Sequence, residues 1–198
     1  MTTIDVPDPG ADRLTDLRRG LAERADAAGL LDLAYRTVDA PIGSCLVVVG
    51  PEGLLRLAFE VEDHASVLED LAEVVSPRIL ADRRRTDQVA RELDEYFAGA
   101  RRDFEVPVDL GLSRGFRRTV LDELRNVGYG STISYAALAE SAGNPKAVRV
   151  VGSACASNPV PIVVPCHRVV RSDGTTGAYR GGSEAKVALL AMEADASR

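Results

Sequence analysis

Ser134-Tyr135-Ala136-Ala137-Leu138-Ala139-Glu140-Ser141-Ala142-Gly143-Asn144-Pro145-Lys146-Ala147-Val148-Arg149-Val150-Val151-Gly152-Ser153-Ala154-Cys155-Ala156 reads as two short helices joined by a tight turn. Ser134 carries the side chain of a helix N-cap, and Gly143 stops a helix that runs through Ala142. Asn144-Pro145 reads as the cap and first turn of a second helix, because proline lacks an amide that would be unpaired there anyway. Helical spacing places Val148, Val151, Gly152 and Cys155 on one face, expected inward. Lys146, Arg149, Ser153 and Ala156 share the other. Such a pair about a glycine turn is a helix-turn-helix, although an ordinary helical pair with a solvated basic end has the same pattern. Size favours a nucleic-acid role. A helix with ordinary side chains is ~10–12 Å wide, whereas the DNA minor groove is ~6 Å wide. Gly152, Ser153, Ala154 and Ala156 make this helix thin, with little that could read base edges. Arg149 projects from its middle and could enter the base stack or hold the gap left by an extruded base.

Downstream, Asn158-Pro159-Val160-Pro161 is a rigid turn, since two prolines lock φ and remove donors. Ile162-Val163-Val164 is expected to be buried. Pro165 then delivers Cys166, His167 and Arg168 just beyond that apolar floor. A thiolate nucleophile needs a base or a positive field, and His167 and Arg168 are the candidates. The ordinary alternative is a buried structural cysteine beside a packed histidine. Structural zinc fits poorly, because no second Cys/His pair exists. Gly174, Gly177, Gly181 and Gly182 punctuate a loop that holds Tyr179 and Arg180. Ser183 caps a terminal helix whose expected inward face is Val187, Leu190, Ala191 and Ala194. Glu193 is the one carboxylate on it spaced to approach the core and orient His167.

Upstream, Phe104–Leu112 is the crossing between two domains, placed at 31–107 and 108–198. Ser113 is the expected cap of a helix with Phe116, Val120, Leu124 and Val127 on its apolar face. Ser44–Val49 and Leu54–Phe59 flank the turn Gly50-Pro51-Glu52-Gly53 and read as a hairpin. Val67, Leu68, Leu71, Val74 and Val75 have helical spacing, as do Val89, Leu93, Tyr96 and Phe97, closed by Gly99. Residues 1–30 form an extension with a disordered start and a possible helix bearing Leu14, Leu17 and Leu21.

The chain has 198 residues, 45% hydrophobic and 27% charged, with a net charge of −6 that argues against a polyanionic partner. The average hides an asymmetry. From Val108 onward there are 11 Lys/Arg against 8 Asp/Glu, and before it 13 against 22. Only the second half suits phosphate. Apolar runs are too short to span a bilayer, and no secretion signal precedes them. Three cysteines without framework spacing suit a reducing, cytoplasmic setting.

The stretch Pro165-Cys166-His167-Arg168-Val169-Val170 resembles the active-site signature of the O6-alkylguanine-DNA alkyltransferases, the methylated-DNA–protein-cysteine methyltransferases. The similarity extends from Phe116 through Gly130–Tyr135, Ala142–Ala147, Arg149, Asn158-Pro159, Tyr179, Gly181-Gly182 and Leu189–Glu193. The first half, with Tyr35 and Ala40-Pro41-Ile42-Gly43, is similar only loosely. The resemblance implies an α/β N-terminal domain with a ribonuclease-H-like sheet, and a mainly α C-terminal domain with a winged-helix-like helix-turn-helix. It implies a stoichiometric protein that moves an alkyl group from O6 of guanine in double-stranded DNA to its own Cys166. Minor-groove binding, base flipping, little sequence preference, a monomer and no cofactor or metal come with it. By resemblance His167 is the base acting through water, Glu193 orients it, and Asn158 braces the turn. Tyr135 meets the flipped base and Arg149 fills the stack. The carbonyls of Cys166 and Val169 accept from the guanine amine, and the Arg180 amide faces the freed oxygen. Ser134, Ser153 and Tyr179 are further DNA- or base-contacting positions. Arg180 is bulkier than the residue common there, and Ala156 replaces a basic one. The alternatives are a protein that only flags alkylated DNA and a Cys-His hydrolase that turns over.

Overall fold

The structure is a computed structural model that describes residues 11–195. The expected disordered start, residues 1–10, lies outside the described residues. The first half runs α1 (Ala11–Ala27), β1 (Leu33–Val38), β2 (Cys45–Gly50), β3 (Gly53–Phe59), α2 (His64–Val74), β4 (Ile79–Ala81) and α3 (Arg83–Phe97). The second runs α4 (Phe116–Leu124), β5 (Ile133–Ser134), α5 (Tyr135–Ser141), α6 (Val148–Ala156), β6 (Val169–Val170) and α7 (Gly182–Asp195).

The hairpin forms as read: Gly50 pairs with Gly53 across Pro51-Glu52, and Gly53 has φ +125°, a conformation glycine adopts without strain. The sheet order is β3-β2-β1-β4, with β1–β2 and β2–β3 antiparallel and β4 parallel to β1. Period-2 alternation divides its side chains between two cores. Leu46, Val48, Leu55 and Ala58 meet Val67 and Leu71 of α2 on one face. Cys45, Val47, Leu54, Leu57 and Phe59 meet Val89, Leu93 and Tyr96 of α3 on the other. That second core continues into Val120, Leu124, Leu138, Val151, Ile162 and Cys166, so one apolar body joins both halves and puts the acceptor segment against the sheet.

Four expectations are corrected. α4 is capped by Gly115 without a side-chain bond, because the Ser113 amide is committed to the Leu110 carbonyl at 2.8 Å. α6 starts at Val148 with Ala147 as cap, because Asn144 instead closes a turn, its Oδ1 accepting from the Lys146 amide at 3.3 Å and its carbonyl from Ala147 at 3.0 Å. Val148 is thus in the first turn and 37% exposed, and the inward face is Val151, Ala154 and Cys155. On α7 the inward residues are Ala185, Lys186, Leu189 and Glu193, while Val187 is 54% exposed. An apolar stripe could not reveal a face that buries a lysine and a glutamate. Finally, Ser183 is the second residue of α7 and not its cap, since the helix begins at Gly182. The possible helix of the extension forms as α1 with Leu14, Leu17 and Leu21 exposed, held against the β4 edge by buried Ala22 and by ion pairs of Asp26 to Arg84 and Arg85.

Candidate active site

The turn after α6 is built to hold one thiol. Ile162 is buried at φ +73°, a left-handed conformation that costs a β-branched residue about 1–3 kcal/mol. Asn158 braces the segment from inside. Its Nδ2 donates to the Val164 carbonyl at 2.8 Å and to Cys166 Sγ at 3.2 Å, and its Oδ1 accepts from the Val160 amide at 3.1 Å. A single 3-10 turn carries Cys166–Arg168, and β6 then pairs in parallel with β5, Val169 opposite Ile133 and Val170 opposite Ser134. The acceptor is thereby registered against the first helix of the helix-turn-helix, which Ser134 caps by accepting from the Ala137 amide at 3.1 Å.

Cys166 is 3% exposed. Burial pushes its thiol up to about 11, against the pull of the Asn158 amide and the Lys186 charge. A thiol held up by burial is almost wholly protonated at neutral pH, so the site needs a proton acceptor. His167 stands next in the chain, fully buried, with Nε2 2.9 Å from Glu193 Oε1. Burial lowers its imidazole below the ordinary range, and the Glu193 hydrogen bond works against that. Burial alone would raise the Glu193 carboxyl. The bonds from His167 and Arg168, with Tyr96, overcome it and keep the group ionised well below neutral pH. Arg168 grips both oxygens, Nε to Oε2 at 2.9 Å and Nη2 to Oε1 at 2.8 Å, and the Gly130 amide adds a bond to Oε2 at 3.1 Å. A carboxylate at Nε2 assigns the ring proton there and leaves Nδ1 bare. Nδ1 is buried without a protein partner among the described residues. The arrangement is a base held next to a buried nucleophile.

Three contributors escape sequence reasoning. Lys186 is wholly buried on α7 and donates to the Val169 carbonyl at 2.7 Å, with its charge felt at Cys166. Tyr96 reaches Glu193 from α3 at 2.6 Å. Glu62, after β3, receives Arg180 Nε at 2.7 Å and pairs with Arg56, whose Nη1 donates to the Pro159 carbonyl at 3.0 Å. The Arg180 side chain is therefore turned toward the first domain, where it lines a cleft of about 390 Å³ with Arg56, Glu62 and Asp70. Tyr179 meets Phe59 of the first domain at a tilt, with ring centroids 5.4 Å apart, and His167 edge-on at 6.3 Å.

A cavity of about 610 Å³ opens on the helix-turn-helix side, lined by Tyr135, Val148, Gly152, Ala156, Arg171 and Gly177. Gly177 packs close to Tyr135, since a Cβ would lie 2.5 Å from the hydroxyl and would push that side chain aside. Arg149 is exposed on α6 and Ser153 half-buried. Cys166, His167, Asn158 and Glu193 are thus gathered in one place, with Val169 bordering it.

Residues 33–110 match the family model described as 6-O-methylguanine DNA methyltransferase, ribonuclease-like domain, and residues 115–195 match the DNA binding domain of the same family. The methylated-DNA–protein-cysteine methyltransferase of Mycolicibacterium paratuberculosis is 38% identical over 161 residues, covering 81% of this chain and 92% of that protein. The bifunctional transcriptional activator/DNA repair enzyme Ada of Escherichia coli is 36% identical over 83% of this chain, which spans 46% of Ada's length. The crystal structure of the Mycobacterium tuberculosis O6-methylguanine methyltransferase superposes with TM-score 0.72 at 33% identity, covering 84% of this chain and 95% of that one. The same protein in complex with DNA gives 0.70 at 35% identity, over 82% of this chain and 94% of that one. With an α/β half and a helical half matched in order by the two family models, and the mycobacterial relative 38% identical over 81% of this chain, the chain belongs to the 6-O-methylguanine DNA methyltransferase family.

Proposed function

We propose that this protein repairs O6-alkylguanine in double-stranded DNA by moving the alkyl group to Cys166. The observation that carries the reading is the cluster Asn158–Cys166–His167–Glu193: a braced, buried thiol beside an imidazole whose other nitrogen is held by a carboxylate. In the step, the thiol proton passes through water to His167 Nδ1, and the sulfur attacks the alkyl carbon. The S–C bond forms as the C–O6 bond breaks, its electron pair leaves on guanine, and guanine takes up the proton. The thioether product offers no leaving group as good, so each chain acts once.

The same reading assigns the remaining positions. Tyr135 and the adjoining cavity receive a flipped base, and Ser134, Ser153 and Tyr179 are further DNA- or base-contacting positions. The Val169 carbonyl accepts from the guanine amine, and the Arg180 amide faces the departing oxygen. Arg149 on the thin helix α6 occupies the vacated stack from the minor groove. Contacts to phosphate dominate, so binding is salt-sensitive and nearly indifferent to sequence. The protein works as a cytoplasmic, DNA-associated monomer without metal. A ribonuclease-H-like first domain at 31–107 and a winged-helix-like second domain at 108–198 complete the proposal. A pure damage marker has no use for a braced thiol beside a base, which disfavours that alternative.

Intact-mass analysis after exposure to duplex DNA containing O6-methylguanine tests the reading. One methyl per chain is expected, mapped to Cys166, and none in Cys166→Ser, which retains DNA binding. A mass gain mapped to Cys45 or Cys155, or repeated turnover, overturns it.

A further inference from the structure

We propose that Tyr96, a residue of the first domain, is a positioning residue of the alkyl transfer, acting through Glu193. The proposal rests on the assignment of Cys166 as acceptor.

Tyr96 and Glu193 are 97 residues apart in sequence, and the phenol donates to Oε1 at 2.6 Å. Both groups are buried, at 0% and 1% exposure. Oε1 is the oxygen that His167 Nε2 also reaches. The ring has little freedom, with Phe97 and Phe104 centroids at 5.3 Å and Tyr129 at 5.9 Å. The hydroxyl is thus aimed at the one atom that links the carboxylate to the base.

A buried tyrosine hydroxyl generally finds some partner, so the contact alone could be structural. The company it keeps argues for more. Glu193 already has Arg168 on both oxygens and the Gly130 amide on Oε2, enough to neutralise and orient it. A further short donor on Oε1 withdraws negative charge from the side that faces His167. A carboxylate left with full charge there would hold the imidazolium too firmly and keep His167 protonated at higher pH. The phenol offsets this, so the imidazole is bare and ready at neutral pH. Of the groups around the pair, Arg168 and Lys186 disfavour the imidazolium, Tyr129 and Tyr179 are neutral before reaction, and Arg102 stands over the Tyr129 ring at 5.7 Å. Tyr96 comes from the first domain and bonds the oxygen that His167 also reaches, so that domain contributes to the chemistry and not only to the scaffold.

The test is the pH dependence of the single-turnover transfer rate from O6-methylguanine duplex at saturating DNA. Tyr96→Phe removes one hydroxyl and keeps the ring. Its acid limb is expected to move up by ~0.5–1 pH unit, so that transfer slows roughly three- to tenfold at pH values well below the wild-type limb and is unchanged at pH 8.5. Phe97→Leu loosens the same aromatic cluster without touching the hydroxyl, and is expected to lower stability with the limb in place. If Tyr96→Phe does not fold, 3-fluorotyrosine at position 96 replaces it. Its more acidic phenol is expected to move the limb down. A limb that coincides with wild type in the position-96 variant, or that moves equally in Phe97→Leu, overturns the proposal. Peptide mapping of the methyl group in the wild-type samples separates this failure from failure of the acceptor assignment.

Discussion

Cys155 and Cys166 lie within one core, yet only one is surrounded for reaction. Burial pushes both thiols up, to about 12 for Cys155 and about 11 for Cys166. A low thiol pKa therefore does not mark the nucleophile here. The difference lies in the neighbours. Cys155 packs on the inward face of α6 beside Val151 and Ala154. Cys166 has an amide donor at 3.2 Å and, next in the chain, an imidazole whose Nε2 lies 2.9 Å from the Glu193 carboxylate. A dry thiol is inert until something beside it can take the proton, and that capacity is what the second setting adds.

The most severe way to break this comparison is Glu193→Gln, which keeps shape and removes the charge behind His167. Transfer is expected to fall on the order of 100- to 1000-fold, the usual weight of a general base, with DNA affinity near normal. Rapid-quench transfer rates and DNA titration check it; a rate within a few-fold of wild type would make the thiol self-sufficient.

Acid sharpens the contrast by a smaller amount. Folded His167 has a lowered pKa, whereas an unfolded imidazole titrates near ~6.5. Below that pH the unfolded chain binds a proton that the folded one refuses, so stability is full above it and falls as pH drops. Glu193 is likewise depressed, and its contribution is lost at still lower pH. The urea midpoint should fall between pH 7.5 and 5.5, and His167→Asn should flatten that slope. The Cys155 setting, with no such pair, contributes nothing to it.

The smallest effect belongs to Cys155→Ala. It removes one buried sulfur, so stability should drop by about 1 kcal/mol while transfer stays within twofold of wild type. Urea melts and the same quench assay measure both.

Much of this setting could be read from the chain. Pro165-Cys166-His167-Arg168 announced itself by residue type, and Glu193 by its stride on a terminal helix. Asn158 came with the family resemblance. The hairpin was legible because its turn residues act locally. What escaped depends on distant contacts or on polar groups in unexpected places. Lys186 looks like a solvated residue until the fold closes over it. Tyr96 looks like core, since its hydroxyl finds a partner only when two domains meet. The start of α6 was misplaced because Asn144 can cap a helix or close a turn with the same side chain, and only the three-dimensional setting decides. β4, three residues long, has too little pattern to stand out.

The outer margin of β3 has a practical consequence. Leu54 exchanges bonds with the Pro107 carbonyl and the Asp109 amide at 2.8 and 2.9 Å, and the Leu57 amide bonds the Pro159 carbonyl at 2.8 Å. The strand would otherwise be a bare sheet edge, a template for another chain. A first half cut at residue 107 loses the Asp109 and Pro159 partners together. Expressed alone, it presents an apolar strand with free amides and is poised to self-associate edge to edge. Any attempt to split this protein into separately produced halves has to carry the 106–109 segment with the sheet and shield Leu57 by other means.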